Sequence, residues 1–276
     1  MVPVILGAAR GVYYAAAMLL FGMASFEALL RARLPSVAPP ASTGLRWTAW
    51  LLALLAAGAW LTLAALQMAD ELDTTVLMQA TTMTLFGQVF LLRLAALLGL
   101  ALLMTVRRGH KFALWLAAMA LALPAATSHA AQASPAGFTA IGTTLDGVHL
   151  LACGFWIGGL AVLVLLYRRT EPNILQALAL FSDWAMVAVL VLVMTGLINA
   201  ASILLGHGTP SPFYLGVLSG KLVLVAVMLG LAAINRFRLM PRRGGAGIAR
   251  NAAFELCLGL IVVMLAGALG QLQPVL

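Results

Sequence analysis

Eight stretches of roughly twenty predominantly apolar residues, parted by short polar breaks, leave this chain little choice of fold. A helix of about 20 such residues crosses a hydrocarbon core of about 30 Å. The stretches lie near residues 11–30, 47–69, 84–106, 112–128, 146–167, 180–205, 214–235 and 252–273, the fourth being the shortest and interrupted by Pro124. They predict an all-α fold, a polytopic membrane bundle of eight transmembrane helices. With 63% of the 276 residues hydrophobic and 9% charged, the composition is far from that of a water-soluble domain. No connection exceeds about twenty residues, so the chain reads as one integral membrane domain over residues 1–276. Its chemistry has to sit between helices or at their ends.

The sixteen basic residues report orientation. Arg31, Arg33 and Arg46 fall in the first connection, Arg107, Arg108 and Lys111 in the third, Arg168 and Arg169 in the fifth, and Arg236, Arg238, Arg242, Arg243 and Arg250 in the seventh. The even connections carry none, and the second holds Asp70, Glu71 and Asp73 instead. The positive-inside rule then makes the odd connections cytoplasmic and both termini periplasmic. The formal charge of +8 forms no basic face with interleaved aromatics, which argues against nucleic acid as a partner. The first run lacks a preceding basic segment and ends in "EALLRAR", a stop-transfer flank, so it is expected to stay as a helix rather than be cleaved.

Two segments echo one another. "LFGQVFLLRLAALLGLALL" and "FYLGVLSGKLVLVAVMLGLAA" each place an aromatic residue, Phe86 or Tyr214, seven positions before a cation, Arg93 or Lys221. "GVYYAAAMLLFGM" and "GVHLLACGFWIGG" rhyme more weakly. Together they suggest repeat halves, 1–130 and 131–276, in the same orientation.

On this topology His129, His149 and His207 lie at the outer face and His110 is cytoplasmic. His149 is the strongest ligand candidate, because a titratable residue within a span marks a functional interior. Asp146 lies one turn before it, Cys153 one turn after and Trp156 deeper, all on one helical face. Asp146 is placed to cap the helix or to accept the second ring N–H of His149 and so orient an imidazole ligand. Cys153 is a plausible next stop for a soft metal. His129, ending the fourth run, faces the same side; each histidine alone reads as an interfacial imidazole, and the pair beside an aspartate reads as a site. His207, in a Gly/Pro-rich loop, is a weaker third ligand, and Met78 and Met83, around the acidic connection, are minor thioether contacts for Cu(I). Arg93 and Lys221 are expected to snorkel to the interface, Glu27 and Glu255 to pair with loop arginines, and Asn199, Thr195 and Ser202 to form a polar stripe. The two cysteines, Cys153 and Cys257, form no disulfide or zinc pattern.

The segments "SHAA", "DGVHLLACGFWIGGLAVL", "FSDWAMVAVLVLVMTGLINA", "YLGVLSGKLVLVAVMLGLAAINRFRLMP" and "ARNAAFELCLGLIVVMLAGAL", with "TLFGQVFLLR" in the first half, resemble the bacterial CopD family of copper resistance membrane proteins. The resemblance implies an eight-helix inner-membrane protein that moves copper and commonly works with a periplasmic copper-binding protein of the CopC type, with outer-side histidines corresponding to His129 and His149. With no CopC-like segment beside the runs, such a donor is expected to be a separate protein.

The leading function is therefore copper transport, with uptake from the periplasm favoured over export because the ligands cluster outside. The alternative is a membrane cytochrome whose b-type haem is held by His129 and His149, acting as a copper reductase. A third is a membrane scaffold with incidental histidines. No phosphate loop, nucleophile elbow or HExxH pattern is present, which argues against an enzyme.

Overall fold

The computed structural model describes residues 2–37, 43–68, 73–106, 109–128, 139–204, 211–241 and 245–272. Their regular structure is helical throughout: α1 (Val2–Arg33), α2 (Thr43–Met68), α3 (Thr74–Thr82), α4 (Leu85–Val106), α5 (His110–Ala122), α6 (Thr139–Arg168), α7 (Ile174–Leu204), α8 (Pro212–Ile234) and α9 (Gly245–Leu269). A 3₁₀ turn, Leu123–Thr127, continues α5, and a π turn, Asn235–Leu239, continues α8.

Among the described residues, seven helices are long and apolar enough to cross a membrane. The fourth expected span departs from this: Lys111–Thr127 is shorter, because Pro124 lacks an N–H and ends the α-helical ladder in the 3₁₀ turn. Other helices overrun their expected bounds, α1 starting at Val2 and α6 at Thr139. The acidic second connection contains α3, capped by Asp73, whose carboxylate accepts from the Val76 N–H at 2.7 Å. A nine-residue helix rich in threonine shows no long apolar run, so the sequence pattern passed over it.

The hub is α1, which packs along α2, α5, α6 and α9. Between apolar helices in lipid the hydrophobic effect offers little, and association relies on close van der Waals contact between small residues. Here Gly22 of α1 meets Gly154 and Gly158 of α6: a methyl group at Gly22 would lie 2.0 Å from the Gly154 carbonyl oxygen and 2.6 Å from the Gly158 Cα. Around this crossing two apolar cores form. One gathers Tyr13, Trp60, Phe90, Leu97 and Leu121 from α1, α2, α4 and α5. The other gathers Phe26, Leu163, Phe181 and Met228 from α1, α6, α7 and α8. By contrast α8 packs chiefly on α9 and turns Leu222, Val223, Val227 and Phe237 outward.

The buried charges do not follow one rule. Glu27 pairs with Arg46 and with Arg31, as loop arginines beside a helix end should. Arg93 does not snorkel: it is 1% exposed, and its guanidinium carbon lies 4.5 Å from the Trp60 ring centroid, 5.0 Å from Tyr13, 5.7 Å from Phe90 and 5.9 Å from Phe86. The Tyr13 side chain is its hydrogen-bonding neighbour, and the negative faces of four rings replace water around the charge. Arg10 stacks on the same Trp60 ring at 4.9 Å and donates to the Gly270 carbonyl at 2.6 Å.

Two outcomes follow from this packing. Gly158→Leu should destabilise the detergent-solubilised protein by more than the about 1–3 kcal/mol usual for overpacking, seen as a lower midpoint in a thermal gel-filtration assay, whereas Gly216→Leu, with open space around its Cα, should leave that midpoint unchanged. Trp60→Leu should cost more stability than Arg93→Met, since the first strips the cage from a buried charge and the second removes the charge itself; equal losses in the same assay would refute the cage as the compensating interaction.

Candidate metal site

The long helix α6 presents Asp146, His149, Cys153 and Trp156 on one face at spacings of three and four. Against the first two lies the end of α7, where Thr195 and Asn199, four residues apart, share the facing stripe. Asn199 Nδ2 donates to Asp146 Oδ1 at 3.3 Å, and His149 Nδ1 lies 3.0 Å from Thr195 Oγ1. The chain comes this close because position 196 is glycine: a methyl there would sit 3.3 Å from His149 Cε1 and 3.7 Å from Nδ1. Ser202, the third residue of the expected stripe, instead donates to its own helix at Ile198.

The Thr195 hydroxyl also donates to the Val191 carbonyl at 2.7 Å; in that arrangement its oxygen accepts from Nδ1–H of His149, and Nε2 of the neutral ring carries the lone pair through which imidazole binds metal. The Leu192 backbone is a further hydrogen-bonding partner of the ring. The expected partner was Asp146. It neither caps α6, which begins at Thr139, nor takes the ring proton; it accepts from Asn199 and from the side chain of Ser128.

Lys221 of α8 lies near enough to act electrostatically on both Asp146 and His149. It is therefore part of this cluster, while Arg93 belongs to the aromatic cage between α1, α2 and α4. Cys153 is half-buried one turn deeper on α6 and is a free thiol. Met78 and Met83, 65% and 77% exposed, sit on or beside α3, which packs on α2 and α4 and not on α6 or α7. His129 and His207 lie outside the described residues, and among those described no three His, Cys, Asp or Glu side chains gather as a metal cage. The sequence reading named Thr195 only as part of a stripe and passed over Ser128 and Gly196; the i, i+4 pair Thr195 and Asn199 was the available signal.

Residues 1–137 match the family described as copper resistance protein D-like, N-terminal domain, and residues 175–269 match copper resistance protein D. The chain is 30% identical over 222 residues to the copper resistance protein D of Pseudomonas syringae pv. tomato, the match covering 70% of each. It is 28% identical over 209 residues to the inner membrane protein YebZ of Escherichia coli, covering 71% of each. To the copper transport protein CutJ of Bacillus subtilis it is 29% identical over 203 residues, 67% of this chain and 36% of that protein; the chain thus spans about a third of the length of CutJ. No solved structure matches it. Two family matches in succession along the chain, a relative matched over 70% of each sequence and, among the described residues, seven helices long and apolar enough to cross a membrane agree, and this multi-pass membrane chain belongs to the copper resistance protein D family.

Proposed function

We propose that the chain carries copper across the bacterial inner membrane, taking it up from the periplasm, and that it is a carrier rather than an enzyme. The observation that carries this reading is His149: a half-buried imidazole whose Nδ1 meets the Thr195 hydroxyl, an arrangement that leaves Nε2 as a metal ligand. His129 supplies the second imidazole. In support, the residue before it, Ser128, is bonded to Asp146, and adjoining Cα atoms are about 3.8 Å apart. Two relatives, a copper resistance protein and a copper transport protein, point the same way.

The topology proposed is eight crossings, with the short Lys111–Thr127 helix as the fourth and both termini periplasmic, so that His149 opens outward. A separate periplasmic protein of the CopC type is the proposed donor. Two repeated halves are supported by matched packing: α1 with α2 and α5 corresponds to α6 with α7 and α9, and α4 on α5 corresponds to α8 on α9. In this scheme Tyr13 beside Arg93 corresponds to His149 beside Lys221. The first-half position is thus plugged by an aromatic cage and the second-half position bears the ligand.

Wild-type protein purified in detergent should bind copper and show no Soret band, and His149→Ala should lose the copper held at that residue while eluting unchanged on gel filtration. A Soret band that disappears in His149→Ala would overturn the copper site in favour of bis-histidine haem. Thr195→Val frees the ring to flip and should weaken copper binding about 10- to 100-fold, and Thr195→Ser, which keeps the acceptor oxygen, should restore it; competition with a Cu(I) chelator reads both.

A further inference from the structure

At the opposite end of the bundle a second polar group is buried in apolar surroundings and plays no part in the His149 cluster. Glu255 of α9 is 2% exposed. Its Oε1 accepts from Asn235 Nδ2 at 2.7 Å, the Asn235 Oδ1 accepts in turn from Asn251 Nδ2 at 3.0 Å, and the Trp156 side chain is a further donor to the carboxyl. No described cation pairs with it. Arg236, which lines the same cavity, is turned to Ser182 at 2.7 Å and Asp183 at 3.0 Å. A carboxylate kept out of water with donors but no counter-charge is costly unless a cation or a proton joins it.

Glu255 opens on a cavity of about 220 Å³ between α6, α7, α8 and α9. The space exists because α7 and α8 lean on α6 and α9 with little direct contact, and because the π turn that starts at Asn235 widens the end of α8. Two thioethers, Met186 of α7 and Met240 beyond the π turn, line the same cavity. One carboxylate, with lone pairs beyond those its two donors engage, and two soft, adaptable sulfurs thus line one cavity from separate elements. Thioether donors select Cu(I) over hard cations.

We propose that the Glu255 cavity is a second copper site, in which the Glu255 carboxylate and the Met186 and Met240 thioethers bind Cu(I) at the cytoplasmic end of the path that starts at His149. This rests on the copper reading above. The two sites are spanned by α8, whose Tyr214, Lys221, Met228 and Asn235 recur every seven residues on one face; from Lys221 to Asn235 is about 21 Å at 1.5 Å per residue. Met228, buried 3% exposed between them, and Cys153 on α6 supply sulfur along the way.

The test is an anaerobic titration of the full chain in detergent with Cu(I) under excess reductant, counting ions retained against a competing chelator. Wild type should hold about two ions per chain. Glu255→Gln, which keeps the Asn235 bond, and the double variant Met186→Leu with Met240→Leu should each hold one, the His149 ion serving as the internal control for folding. His149→Ala should hold the other, with sulfur ligands in X-ray absorption. If both inner variants bind as wild type does, or if wild type holds a single ion that His149→Ala removes, the inner site is refuted and the His149 site stands. If wild type binds no copper, both readings fall.

Discussion

The approach of α1 to α6 at Gly22, Gly154 and Gly158 is the contact on which the rest of the bundle depends. Lipid tails are as apolar as leucine, so helices in a membrane gain little by hiding apolar side chains from one another. They gain by fitting together, and here the backbones touch: a single added methyl at Gly22 would fall inside the Gly154 carbonyl. With these two helices locked, α2, α4 and α5 close around one flank and α7, α8 and α9 around the other. The position of α6 in turn sets the position of Asp146, His149, Cys153 and Trp156.

The two flanks treat polar residues differently. Around Arg93 four aromatic rings gather on the charge. Glu255 instead faces a cavity among α6, α7, α8 and α9. The difference lies in α8, which rests on α9 and is linked to α7 through Arg236, which donates to Ser182 and Asp183.

Within the site, the atom left available is decided by a chain of hydrogen bonds. The Thr195 hydroxyl donates to its own helix at Val191. With its hydrogen there, its oxygen accepts from His149 Nδ1. Asp146, the intuitive partner from spacing alone, is engaged with Asn199 and Ser128. Helical spacing shows which residues share a face, but not which residues of a neighbouring helix meet that face.

The membrane class, the helical fold and the family of this chain were legible in the residues themselves, because about twenty apolar residues in a row have one low-energy solution in a bilayer and because the family's segments recur in order. His149 stood out as well, since an imidazole in an apolar run is costly enough to demand a reason. What the residues left open was decided by packing. The short fourth helix and α3 depend on local breaks, Pro124 and the Asp73 cap, that outweigh mean hydropathy. The burial of Arg93, the pairing of His149 with Thr195 and the isolation of Glu255 beside a cavity depend on helices distant in sequence. Each rests on angstrom-scale contact between side chains, and the periodicity of a single helix carries no information about its neighbour.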